Sequence, residues 1–162
     1  MPADSEGARP TPATPDLPVT FRPLGVRIAA VAFGVMLFGV GAAIWISFPP
    51  HVREAFTVFQ RLTVLGMGAG VLVVGHALAR CRVDADAEGL NVVNGYRTHR
   101  LQWPQVLAVR MLPGNPWVTF DLADGTTLSA LGVQGSDGAR AQRQVRALRA
   151  LIAQHDAREP DA

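Results

Sequence analysis

The sequence predicts a two-helix transmembrane hairpin followed by an all-β barrel of six to seven antiparallel strands, capped by a C-terminal α-helix. Three observations predict it. Apolar residues make up 49% of the 162 and charged residues 17%, against about 25% charged in an ordinary soluble domain. The apolar excess is concentrated in two uncharged runs, Ile28–Phe48 and Leu62–Ala79. From Arg82 onward the pattern changes to short alternating segments broken by turn residues, and then to one amphipathic stretch.

The elements follow in order. Residues 1–24 carry Pro2, Pro10, Pro12, Pro15 and Pro18 without apolar periodicity, which predicts a disordered lead-in. Residues 25–80 form the hairpin. Ile28–Phe48 is apolar all round and long enough to reach across the ~30 Å hydrocarbon core of a bilayer. It exceeds the 7–15 apolar residues of a signal peptide, and a second run follows, so it reads as a retained anchor. That second run lies between Arg61 and Arg80 and takes in Val58 and Phe59 if Arg61 snorkels. The spans are then about 28–48 and 59–79. A chain this short cannot bury two such helices in a soluble core. The connector Pro49–Gln60 is short, so the helices run antiparallel. Gly39 and Ala43 on one, with Gly66 and Gly70 on the other, have the four-residue spacing that lets helix backbones approach. Arg22, Arg27, Arg80 and Arg82 flank the outer ends, against Arg53 and Arg61 in the connector. That excess predicts a plasma-membrane protein with both termini cytoplasmic.

Residues 81–155 form the domain. Val83 and Ala85 alternate with Arg82, Asp84 and Asp86, and Ala87-Glu88-Gly89 turns the chain. Leu90 and Val92 lead to Asn94-Gly95, a strong hairpin signal because both residues tolerate positive φ. Tyr96–Leu101 is a third strand, ended by Trp103-Pro104, since proline cannot donate to a ladder. Leu107, Val109 and Met111 form the inward face of a fourth, and Pro113–Pro116 turns again. Val118, Phe120 and Leu122 mark a fifth strand, and Thr126–Leu131 follows Asp124-Gly125 as a sixth. Gly135-Ser136-Asp137 offers a cap for the closing helix. Ala141, Val145, Leu148, Leu151 and Ile152 share one side of that helix, with Arg140, Arg143, Arg146 and Arg149 spread over the other. Residues 156–162 read as a disordered tail.

Several short antiparallel strands and one capping helix in this order resemble the pleckstrin-homology (PH) fold. The residues carrying the resemblance are Val83–Leu90, the hairpin at Asn94-Gly95, Leu101–Val106 and Trp117–Thr126. The chain is similar to small actinobacterial membrane proteins with a bacterial PH-like domain, the low molecular weight protein antigen 6 type. Two spans before the domain are also family-like. All fifteen basic residues are arginine, a coding bias that suits a GC-rich bacterium. The resemblance implies a PH-like barrel and a membrane-tethered interaction module with no known chemistry.

The residues support a non-enzymatic reading. His51, His76, His99 and His155 are scattered without metal-ligand spacing, and no nucleophile motif or phosphate loop is present. No cofactor, metal or nucleic acid is expected. The lone Cys81 excludes an intrachain disulfide and reads as a packed thiol. His76 in the second span reads as a snorkelling or hydrogen-bonded group near Arg80. Phosphoinositide-binding PH domains place cations in their first β-hairpin. Asp86–Gly89, taken as that loop, is acidic and would repel phosphate. The expected contacts to a protein partner or lipid are Arg97, Arg100, Trp103 and Trp117. The leading function is a membrane-anchored PH-like module presenting a protein-binding surface at the cytoplasmic face. Its partner would be a membrane or cytoplasmic protein, bound along an open sheet edge or beside the last helix. The alternatives are sensing of anionic lipid, or an accessory subunit assembled through the transmembrane hairpin.

Overall fold

The computed structural model describes residues 15–112 and 114–157. Two long helices, α1 (Leu24–Ser47) and α3 (Val58–Arg80), hold 24 and 23 residues. At 1.5 Å per residue they reach roughly 36 Å and 34 Å, enough to cross the hydrocarbon core. Neither buries a residue. Large apolar side chains stand open on every side, Val35 at 70%, Ile46 at 74% and Phe59 at 79% exposure. A helix of a soluble core would bury one face, so these two have the length and surface of membrane helices.

A short helix, α2 (Pro50–Ala55), joins them. Thr57 opens α3 with a capping box. Its hydroxyl accepts from the Gln60 N–H, and the Gln60 side-chain oxygen accepts from the Thr57 N–H. Trp45, Phe48 and Phe56 cluster at this end with ring centroids 5.4 to 6.3 Å apart. Arg61 lies over Trp45 and donates to the Arg53 carbonyl. Aromatic rings with a snorkelling cation suit the headgroup level.

The helices do not meet along the predicted small-residue seam. A side chain at Gly39, Gly66 or Gly70 would meet nothing within 4 Å. The close approaches are at Gly68, against the Phe38 ring, and at Gly75, against Ala30. Positions 66 and 70 sit two residues either side of 68, about 200° round the helix. They therefore face away from α1, and Ala43 shares the outward face of Gly39. Four-residue spacing alone did not identify the close-approach residues, because the bulk of Phe38 selects the glycine that lies opposite, Gly68.

The strand that sequence reading missed lies before the hairpin. β1 (Val19–Phe21) pairs antiparallel with β2 (Arg82–Ala85), Val19 opposite Ala85 and Phe21 opposite Val83. This corrects the disordered lead-in at its C-terminal end. Three residues are too few to show periodicity, yet the Phe21 ring is buried in the core. Residues 1–14 lie outside the described residues, as do 158–162 of the expected C-terminal tail. The helical hairpin is thus the connection between the first two strands, and the domain is assembled from both sides of it.

β3 (Gly89–Asn94) and β4 (Arg97–Gln102) complete a sheet in the order β1-β2-β3-β4. β5 (Val106–Arg110), β6 (Trp117–Leu122) and β7 (Thr127–Gln134) form a second, β5-β6-β7. The six strands expected after Arg82 are present, and β1 makes seven, all antiparallel in two sheets. The sheets join where β7 crosses β2 and β3. A Cβ on Gly132 would lie 2.5 Å from the Arg82 carbonyl carbon, so only glycine allows the crossing. Beside it, the Asn94 amide donates to the Ser129 carbonyl at 2.6 Å and accepts from the Leu131 N–H at 2.9 Å. Asn94 is therefore a strand residue bridging two sheets. The turn is Gly95-Tyr96, closed by Asn94 opposite Arg97, and only Gly95 takes a positive φ (62°).

Phe21, Val83, Leu90, Val92, Val118 and Phe120 fill the space between the sheets. α4 (Ala139–Asp156) covers it with the five predicted residues, Ala141, Val145, Leu148, Leu151 and Ile152, all buried, together with Gln144. Arg149 stays exposed with Arg140, Arg143 and Arg146 on the predicted polar fan, while its Nε donates to the Val109 carbonyl and ties α4 to β5. In β5 a register shift between Val106 and Ala108 turns Val106 and Val109 inward. Leu107, expected inside, is exposed. A bulge moves the inward positions from two apart to three.

Candidate interaction surface

Three places bear on function: the foot of the helical hairpin, the free edge at β4, and the aromatic residues expected to make contacts.

At the foot, the domain holds both ends of the hairpin. α1 begins after Pro23, which has no side chain to cap the free N–H groups. The Asp137 carboxylate serves instead, accepting from the Leu24 N–H at 2.9 Å and the Gly25 N–H at 2.8 Å. Asp137 was expected to cap α4. Its short 3-10 turn, Gly135–Asp137, directs it to α1, and α4 starts from Gly138 with no side-chain cap. The other end is held by the β3–β4 turn. The Gly95 N–H donates to Cys81 Sγ, whose thiol donates to the Ala77 carbonyl. A Cβ at Gly95 would touch the Ala77 methyl at 3.5 Å. The Tyr96 hydroxyl lies 3.0 Å from His76 Nδ1 and 3.4 Å from the Val73 carbonyl, and the Arg80 guanidinium lies over the Tyr96 ring. His76 thus belongs to a junction that the sequence did not show. A tyrosine in the turn after Asn94-Gly95 carried the only signal for it.

This arrangement also moves the loop expected to correspond to the first β-hairpin. Asp86–Gly89 connects β2 to β3, and Asp86 Oδ1 accepts from its own turn, at the Glu88 and Gly89 N–H groups. The first hairpin connection is the pair of apolar helices.

The second place is β4. It pairs only with β3 and ends its sheet. Arg97, Thr98, His99 and Arg100 are all exposed. Because the turn closes on Asn94 and Arg97, the N–H and C=O groups of Arg97, His99 and Leu101 face β3. Those of Thr98, Arg100 and Gln102 face outward. The Gln102 N–H is taken by the Gln105 side chain at 2.9 Å, which leaves Thr98 and Arg100 as the open part of the edge. Elsewhere, strand arginines are paired with neighbouring carboxylates. Arg82 bonds Asp84 at 2.8 Å. Arg110 bonds Asp121, which raises the Arg110 pKa through the hydrogen bond and the charge. Among the described residues Arg97 and Arg100 have no such carboxylate. Arg100 borders a polar groove of about 560 Å³, shared with Asp86, Glu88, Asn91, Gln102 and Gln105.

The aromatic residues divide. Trp103 is buried, stacked on His155 with centroids 4.0 Å apart, and its Nε1–H donates to the Asp86 carbonyl. It fastens the end of α4 to the β2–β3 turn and offers no surface, contrary to expectation. The 3-10 turn Trp103–Gln105, which follows from Pro104, points the ring inward. Trp117 remains 38% exposed at the start of β6. Arg97 and Arg100 share β4, and Trp117 lies on the other sheet.

Residues 80–151 match the family model described as bacterial PH domain. Uncharacterised proteins of Mycobacterium tuberculosis (strains H37Rv and CDC 1551) and Mycobacterium bovis are 29% identical over 133 residues, covering 80% of this chain and 78% of theirs. That stretch is longer than the matched domain and reaches into the apolar helices. No solved structure matches.

Proposed function

We propose that this chain, which carries a bacterial PH domain behind two helices of membrane length, is a non-enzymatic, two-pass anchor that presents the edge of β4 to a protein partner at the cytoplasmic face. The observation carrying the reading is the open edge itself. Thr98 and Arg100 direct backbone groups outward on an exposed strand, the geometry by which an extended segment adds to a sheet. Both feet of the hairpin lie in one sheet, which supports an even number of spans. The arginine excess at those feet supports the cytoplasmic side.

The test uses the full chain in its native membrane, with a photo-crosslinking residue at Gln102 and a control at Thr126. Partner adducts at Gln102 should disappear in Thr98→Pro, because proline removes an outward N–H while sparing the β3–β4 ladder. Adducts that persist, or that form equally at Thr126, would rule out the edge. A second reading, contact with anionic headgroups, draws on one observation. Arg97 follows Tyr96, whose hydroxyl reaches Val73 on α3, so this cation stands close to the helix end, where each charge contributes about 1 kcal/mol.

A further inference from the structure

We infer that the β4 edge receives an acidic segment in extended conformation; this rests on the edge-pairing reading above. β4 reads Arg97-Thr98-His99-Arg100-Leu101-Gln102 and contains no acid. Arg82 and Arg110 are each neutralised by a carboxylate on their own sheet. Among the described residues, the two arginines beside the open N–H and C=O groups are not. A second copy of the chain is disfavoured as the occupant, since β4 against β4 would set basic strand on basic strand, and like charges across a strand pair repel.

The edge also has polarity. Arg97 stands next to the turn that holds α3, and Arg100 follows three residues later. Asp86 and Glu88 border the groove at the far end, beside Gln102. The matching segment therefore carries its carboxylates opposite Arg97–Arg100 and none beyond. An incoming strand would place alternate side chains on the two faces of the sheet. Arg97 and His99 lie on one face and Arg100 on the other, so acids at both parities find a cation.

The experiment uses the full chain in nanodiscs of neutral phosphatidylcholine and two short labelled peptides, alternating threonine with glutamate or threonine with lysine. Fluorescence anisotropy should show the glutamate peptide bound at least about tenfold more tightly than the lysine peptide, with the difference shrinking as salt rises. Arg97→Glu with Arg100→Glu should invert the preference. Thr98→Pro should weaken both, with unfolding curves confirming that each variant folds. Binding that Thr98→Pro abolishes but that ignores peptide charge leaves the edge reading standing and overturns the acidic one. Glutamate binding that survives Thr98→Pro overturns the edge reading. If neither peptide binds the inference fails, and weaker binding of the double reversal to phosphatidylglycerol vesicles in a parallel assay then assigns the arginines to lipid.

Discussion

The Asp137 carboxylate shows how one side chain can hold two parts of the molecule together. It sits 113 residues from Leu24, yet accepts the two backbone N–H groups left open at the start of α1. An anion at a helix N-terminus also meets the positive end of the helix dipole. Asp137→Ala should lower stability by about 1 kcal/mol, read as a drop in Tm of the detergent-solubilised chain. Asp137→Asn keeps an acceptor and should lose less. An equal loss for both would mean that charge, more than hydrogen bonding, carries the contact. Asp124 gives a test by pH. Its carboxylate accepts from the hydroxyl and the N–H of Thr126, and these bonds hold its pKa below the usual carboxylate value. With the folded pKa depressed, the ionised form contributes stability in full above the unfolded pKa of about 3.9. That contribution is lost as pH falls through the folded value. Asp124→Asn should therefore flatten the acid side of a Tm-against-pH curve. A curve as steep as the parent's would show that other carboxylates govern that range.

The hairpin seam and the first strand show what one-dimensional spacing can and cannot reveal. Gly68→Leu should separate α1 from α3, because the Phe38 ring already lies 3.1 Å from where a Cβ would stand. Gly39→Leu meets open space and should leave the hairpin intact. Crosslinking between cysteines on the two helices separates the two cases, and a disruptive Gly39→Leu with a silent Gly68→Leu would restore the predicted seam. Phe21→Ala should destabilise the domain by about 3–5 kcal/mol, because that buried ring is most of what β1 brings to the core. The elements with long periodic signals were legible. The two apolar runs, the six strands after Arg82 and the five buried residues of α4 follow from repeated spacing, whereas the PH-like order came from resemblance to a known family. The features missed depend on contacts distant in sequence. β1 is three residues whose partner strand lies beyond the whole hairpin. Trp103 turned inward because Asp86 and His155 were waiting for it. Asp137 lay one residue from the helix it was expected to cap, and a distant one took it. Arg97 and Arg100 were legible as exposed cations, but the open edge between them appears only when the strand order is known.

At the scale of the molecule, the β1–β2 pair ties topology to folding. Val19 faces Ala85 and Phe21 faces Val83, and between those partners the chain runs out through α1 and back through α3. A pair of hydrogen-bonded strands cannot form across a bilayer, so the proposed two-pass reading requires the chain before α1 and the chain after α3 to share one side. Reporter fusions at either end should agree: a cytoplasm-dependent fluorescent protein should light up at both, and a periplasm-dependent phosphatase should be silent at both. Opposite results at the two ends would dismantle the sheet as well as the topology, since β1 would be stranded from β2. Agreement on the periplasmic side would keep the sheet and overturn only the arginine argument for orientation. Cysteines at Val19 and Ala85 complete the test. As facing residues of an antiparallel pair their Cα atoms stand ~4.5–5.5 Å apart, inside the ~4.4–6.8 Å that a disulfide spans, and the cysteines should crosslink on oxidation of isolated membranes. A matched pair at Val19 and Leu107 should not. The crosslink would close a covalent ring around the entire hairpin, demonstrating that the domain carries the membrane helices as the connection between its first two strands.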